Sequence, residues 1–234
     1  MAVYTRINQN DLSLIEKNFK IGKIHSFSGI KKGIENTNYL IKTNKKKIIL
    51  TIFEKRVQKK DLPFFMDLMF GLSKNRIKCP EPIKNKKGKY LFKIKSKTAC
   101  LVSFLEGKDK NQLTSKDCFQ VGKNAALLHL AAKKLRLFRK NSLSVNSWGP
   151  LLNRIDKRIN KLSSNLINTM RTDLVDIKKK WPKSMPNGII HSDLFIDNIF
   201  FYKKKYYGFI DFYFSANDFL AYELATCVNA LCFK

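Results

Sequence analysis

Asp193, Asp197, Asn198 and Asp211 lie close together in a chain that is otherwise poor in acids, in "IIHSDLFIDNIFFYKKKYYGFIDFYF". His191, Asp193 and Asn198 have the spacing H-x-D-x-x-x-x-N, and a second carboxylate, Asp211, closes the apolar run "YYGFIDF". Ile189 and Ile190 read as the end of a buried strand and 199–201 as the start of another. Asp193 and Asn198 then share the loop between them, and a hairpin over 199–210 brings Asp211 to face Asp193. Transfer of a phosphoryl group from ATP to a hydroxyl needs this set. A carboxylate must hold the acceptor and take its proton. A hard divalent cation, held by oxygen ligands, must bridge the phosphates. Asp193 is the candidate base, and Asn198 and Asp211 are candidate Mg²⁺ ligands. An ordinary low-pKa aspartate suffices, because positioning and charge neutralisation provide most of the acceleration in such chemistry. Any one of these Asp residues could instead cap a turn and pair with the abundant Lys, but the spacing between apolar strands matches a kinase motif. Asp197 reads as a loop residue, and Asp218 and Glu223 as caps or braces of the last helix.

The elements that must position this set are legible. "NDLSLIEKNF" reads as an opening helix starting near Asn10 or Asp11. "GKIHSFSGI", "NTNYLIKT", "KKIILTIFE", "GKYLFKI" and "KTACLVSFLEG" read as five short strands separated by Gly or Lys/Asn turns. "KDLPFFMDLMFGLSKN" reads as a helix with Pro63 in its first turn, where a missing N–H costs nothing. The expectation is an α+β, bilobal chain. Residues 1–105 form an antiparallel five-stranded sheet with one helix packed on it, "FLEGKDKNQ" is a hinge, and 106–234 form a mainly helical lobe. "TSKDCFQVGKNAALLHLAA" is a helix with capping-box spacing at Thr114 and Asp117. Cys118, Val121, Ala125, Leu128 and Ala132 share one of its faces. His129 lies within it and reads as a satisfied core histidine. Residues from about 150 to 180 read as one long polar-faced helix. The tail "NDFLAYELATCVNALCFK" is a helix with apolar residues on nearly every side, which calls for burial.

Composition narrows the classes. The chain has 234 residues, 44% hydrophobic and 12% aromatic, enough to bury a core and too apolar for wholesale disorder. The formal charge is +28. A polyanion partner is one reading of that charge, but the basic residues are mostly Lys, scattered through every segment and mixed with frequent Asn, Ile and Phe, as AT-rich coding produces. No specific nucleic-acid partner is expected, since base readers favour Arg. Five cysteines, an odd number with no CxxC pair, indicate neither a disulfide framework nor a zinc site and fit a reducing cytoplasm. No signal core or membrane-length apolar run is present.

On "GIENTNYLI", "ILTIFEKR", "DLPFFMDLM", "VSFLEG", "HSDLFIDNIFF", "GFIDFYFSANDFLAYELA" and "CVNALCF", the chain resembles bacterial homoserine kinases of the aminoglycoside-phosphotransferase-like type, in the protein-kinase-like superfamily. The resemblance implies a protein-kinase-like fold with ATP and Mg²⁺ in an interlobe cleft. It implies phosphorylation of the L-homoserine hydroxyl, a step of threonine biosynthesis. It carries the base role to Asp193 and the metal-ligand role to Asn198 and Asp211.

The phosphate-cradling loop would be "SFSGIKKGIENTNY", where Gly29 and Gly33 admit close backbone approach. Thr51 occupies the third-strand position that holds Lys in protein kinases. Lys55 and Arg56 are left as phosphate-binding candidates or as solvated strand-end charges. The DFG triplet is Asp211-Phe212-Tyr213, which removes the glycine of a regulated switch. The family continues by several helices past the position of Lys234. An uncovered last helix and self-association through it are therefore expected. Other readings are a choline or aminoglycoside kinase, an inactive nucleotide-binding remnant, and a basic nucleic-acid binder.

Overall fold

The computed structural model describes residues 3–33, 35–159 and 165–233, with the side chains of 156–159 left aside. Helix α1 (Gln9–Asn18) precedes strands β1 (Ile24–Gly29), β2 (Thr37–Thr43) and β3 (Lys47–Ile52). Helix α2 (Leu62–Lys74) then leads to β4 (Leu91–Ile94) and β5 (Lys97–Ser103). These strands make one antiparallel sheet in the order β1-β2-β3-β5-β4. The cap of α1 is Asn8, not Asn10 or Asp11. Asp11 is the third helical residue and completes a capping box by returning a bond to the Asn8 N–H.

The alternation of β-strand side chains divides the core in two. Ile48, Leu50 and Ile52 of β3 and Ala99 and Leu101 of β5 face α1, packing with Leu12 and Ile15. The other face of β5, Cys100 and Val102, joins Phe65, Met69 and Leu72 of α2. That second cluster continues without a break into the following lobe through Val121, Leu128, Ile189, Leu194, Phe209 and Phe212. Because Ile48, Leu50 and Ile52 are committed to α1, the period of two turns Ile49 and Thr51 toward the cleft.

The second lobe is α3 (Ser115–Ala132), α4 (Val145–Ile159), α5 (Leu166–Lys180), β6 (Asn187–Ile190), β7 (Ile199–Tyr202), β8 (Lys205–Phe209), β9 (Ala216–Phe219) and α6 (Leu220–Leu231). Thr114 and Asp117 form the expected capping box on α3. The single helix expected over 150–180 is instead α4 and α5 packed side by side. Trp148 near the start of α4 meets Trp181 just past α5 in an edge-to-face pair at 5.5 Å. Leu152 of α4 and Ile167 of α5 are buried, while Ile155, Leu166, Met170, Val175 and Ile177 remain exposed. Helix α6 lies against α3 and β6, with Glu223 and Cys227 inward and Leu224 and Val228 exposed. No described helix is long and apolar enough to cross a membrane.

Gly107, in the stretch read as a hinge, has φ +106°, and a Cβ there would sit 2.6 Å from the Phe201 carbonyl oxygen. It lies against the pairing of Lys108 with Phe201, which fastens the linker to β7. Gly88 also has positive φ but open space around it. Gly88→Ala should therefore cost only backbone strain, about 1 kcal/mol, while Gly107→Ala must also displace backbone and should cost about 3 kcal/mol. Urea unfolding of the two variants reads the difference; equal losses would show that the close approach to Phe201 carries no weight.

Candidate active site

Antiparallel pairing of β6 with β9 fixes the strand that delivers the loop carrying Asp193, with Ile190 opposite Ala216. Past Ile190 the backbone turns sharply: Ser192 adopts φ +69°, a left-handed conformation that non-glycine residues avoid. Asp193 follows, then a short 3₁₀ turn over Ile196–Asn198 and the β7–β8 hairpin. The hairpin returns the chain to Asp211, itself at φ +63°.

The loop is cross-tied. Asn198 Nδ2 donates to both the carbonyl oxygen and Oδ2 of Asp193, each at 2.8 Å. The Ile210 N–H donates to the Asn198 carbonyl at 3.0 Å. His191 Nε2 donates to the Ile210 carbonyl at 2.9 Å. His191 is buried, with its ring 4.5 Å from that of Phe212, and burial lowers its pKa; the imidazole is a neutral strut. Glu223, completely buried, accepts from the peptide N–H of His191 (2.9 Å) and of Ser192 (2.7 Å). Sequence reading assigned Glu223 to its own helix; the structure gives it to the loop that leads into Asp193. Asp218 accepts from Asn141 Nδ2 and from the Phe219 N–H, so it braces the start of α6.

Asp193, Asn198 and Asp211 line one cleft of about 600 Å³ between the sheet and the second lobe, with Thr51 and Gly33 on its opposite wall. The lining carries five carboxylates, Glu35, Asp109, Asp193, Asp197 and Asp211, and two cations, Lys32 and Arg56. Lys32 pairs with Asp109 and Arg56 with Glu35, which leaves Asp193, Asp197 and Asp211 without an ion-pair partner among the described residues, although the Arg56 charge also reaches Asp193. Burial pushes Asp193 up to about 6, helped by the charges of Asp197 and Glu35 and opposed by the Asn198 bond. Burial also pushes Asp211 up to about 7, with Asp193 adding repulsion. Asp211 is itself exposed to cleft water, which moderates that push. Asp193 is thus a better proton acceptor near neutrality than the low-pKa aspartate expected from sequence.

This donor set suits a divalent cation delivered with phosphates. Among the described residues no cluster of three or more His, Cys, Asp or Glu side chains forms a metal cage. Magnesium does not require one, since it takes one or two carboxylates and completes its shell with water and phosphate oxygens. The Asp211 carboxylate and the Asn198 amide, beside a second carboxylate at Asp193, fit that mode.

The other expected residues are separated. Gly33, at φ +96° with nothing near a would-be Cβ, lies in the cleft wall; Gly29 does not, and its Cβ would come 2.7 Å from Val3 Cγ2. Arg56 lines the cleft and lies over the Phe214 ring at 4.9 Å, whereas Lys55 is outside it. Thr51 donates to Asn38 Oδ1 at 2.8 Å. Tyr213, in the place of the switch glycine, stands edge-on to Phe53 and Phe65, with its hydroxyl 3.6 Å from Cys100 Sγ. Arg139 also escaped the sequence reading: it pairs with Asp61 at the start of α2 and donates to the carbonyls of Phe214 and Ser215.

The model of the phosphotransferase enzyme family matches residues 26–234. A homoserine kinase of Sinorhizobium medicae is 41% identical over the whole chain, which covers 72% of that relative. One of Allorhizobium ampelinum is 44% identical, again over the whole chain and 73% of the relative. Among solved structures, spectinomycin phosphotransferase with ADP and spectinomycin aligns with a TM-score of 0.68 at 16% identity, over 94% of this chain and 73% of that one. An amicoumacin kinase with AMP-PNP and Ca²⁺ aligns at 0.69 and 15%, over 96% and 69%. At those identities the structures establish the two-lobed kinase-like fold.

An acid whose folded pKa is raised above its unfolded value destabilises the fold increasingly as pH rises through the interval between the two. For Asp211 that interval runs from about 4 to about 7. Asp211→Asn should therefore raise the Tm of the metal-free protein at pH 8 and lose that advantage toward pH 4. A Tm difference that does not vary with pH would show that Asp211 carries no such penalty.

Proposed function

The chain belongs to the phosphotransferase enzyme family, and we propose on that premise that it works as its homoserine kinase relatives do. It transfers the γ-phosphoryl group of ATP to the side-chain hydroxyl of L-homoserine, giving O-phospho-L-homoserine for threonine biosynthesis in the cytoplasm. The observation that carries this reading is the three carboxylates without an ion-pair partner among the described residues, with Asn198 bonded to one of them, in a cleft of a chain similar over its whole length to those enzymes.

Residues 1–105 are the nucleotide-binding lobe and 106–234 the catalytic lobe. Asp193 orients the acceptor hydroxyl and takes its proton as the oxygen–phosphorus bond forms and the bond to the β-phosphate oxygen breaks. Asn198 fixes the Asp193 carboxylate in one orientation through its two bonds. Asn198 and Asp211 would hold Mg²⁺, which would supply positive charge to offset that of the phosphates. Gly33 lets the loop after β1 approach the phosphates, and Gly29 seats the root of that loop against Val3. Arg56 supplies the cation that Thr51 cannot, exchanging Glu35 for phosphate. This chemistry needs no second copy of the chain at the exposed face of α6.

Coupled ADP release should require both Mg²⁺ and homoserine, with choline and aminoglycosides inert. Asp193→Asn should lower kcat at least about 10³-fold while ATP binding stays within about threefold. Normal turnover by Asp193→Asn, or a preference for choline, would overturn the assignment. Arg56→Met should weaken ATP binding about tenfold and Lys55→Met less than twofold, read by calorimetry. Equal effects would remove Arg56 from the phosphate site.

A further inference from the structure

We propose that His129 is a positioning residue for phosphoryl transfer, acting through the Glu223 carboxylate on the backbone that carries Asp193. The proposal rests on the kinase reading above. His129 Nε2 lies 2.9 Å from Glu223 Oε2, the oxygen that also takes the His191 N–H, while Oε1 takes the Ser192 N–H. A carboxylate beside a ring nitrogen makes that nitrogen the donor. Three donors from two chain segments thus converge on a side chain that is 1% exposed, and the His129 side chain is 14% exposed.

The mechanical consequence lies in the peptide groups held. Glu223 pulls two successive N–H groups toward itself, which helps keep Ser192 in its left-handed conformation. Asp193 is the next residue, so rotation of the 191–192 peptide would swing its carboxylate away from Asn198. A buried carboxylate deprived of one donor is under-satisfied and turns to recover a partner. The N–H bonds to the loop are what it has to give up. Displacement of a catalytic group by about 1 Å can cost about a hundredfold in rate. His129 stands on α3 and Glu223 on α6, so the pair also couples the packing of these two helices to the loop. A histidine serving only as filler would tolerate an apolar replacement and would not need a donor at Nε2.

The test compares His129→Leu with His129→Gln, which keeps an N–H donor. Backbone hydrogen exchange at 191 and 192, which needs no turnover, is measured beside kcat and the KM for Mg-ATP. His129→Leu should speed exchange at those amides at least tenfold. It should lower kcat about 10–100-fold, with the KM for Mg-ATP within about threefold. His129→Gln should recover most of both. Should His129→Leu fail to fold, His129→Met, which is apolar and adaptable, makes the same comparison. Unchanged exchange and kcat in the apolar variant would overturn the proposal. So would a Gln variant as impaired as the apolar one, since packing would then be the cause. A parent chain inert toward homoserine would sink the kinase reading while the exchange comparison still decided whether His129 holds the loop.

Discussion

Negative charge must be held together in a groove that opposes it, and much of this molecule answers that demand. The chain carries a net charge of +28, yet its cleft has five carboxylates against two cations. The basic residues that could neutralise the groove are spread over the outer surface, where water screens them. Within it, Lys32 and Arg56 are each matched to an acid. The negative charge left over suits a divalent cation, and it adds to burial, the larger cause, in lifting Asp193 and Asp211 toward neutrality.

Groups that repel one another stay in place only if the backbone beneath them is over-determined. Here that backbone is strained: Ser192 and Asp211, both non-glycine, have positive φ. Such conformations cost about 1–3 kcal/mol each and persist where surrounding bonds enforce them. The enforcement comes from three directions. Asn198 ties the two ends of the loop, His191 ties the loop to the strand before Asp211, and Glu223 reaches in from α6. Arg139 does similar work on the far side, linking α2 to the segment after Asp211. The apolar cluster from α2 through α3 to Phe209 and Phe212 gives these ties a rigid base.

The strands, α2 and α3 were legible because their apolar residues follow the periods of two and 3.6, and because Pro63, Thr114 and Asp117 mark helix starts. The acidic set was legible because carboxylates stand out in a Lys-rich chain. What stayed hidden was pairing across long separations. Nothing local to Glu223 says that its partners are the peptide groups of His191 and Ser192, although a lone acid inside "FLAYELATCVNAL" was a signal that something polar must meet it. Arg139 and Glu35 were lost among charges that looked alike. The 150–180 stretch misled for the opposite reason: the helical period holds on both sides of "NKLSSN", a sequence with no Gly or Pro to mark a break. Gly29 and Gly33 looked equivalent, but Gly33 has positive φ and open space in the cleft wall, while Gly29 lies outside the cleft against Val3.

Tyr213 fills the space between β3 and α2 that a glycine would leave free, its ring set against Phe53 and Phe65 and its hydroxyl beside Cys100. Asp211 two residues earlier cannot swing outward unless that ring is withdrawn from the core. A ligand entering the groove therefore meets a packed aromatic wall at Tyr213. Small molecules directed at this protein would compete at the open groove, where Arg56 stands in the wall.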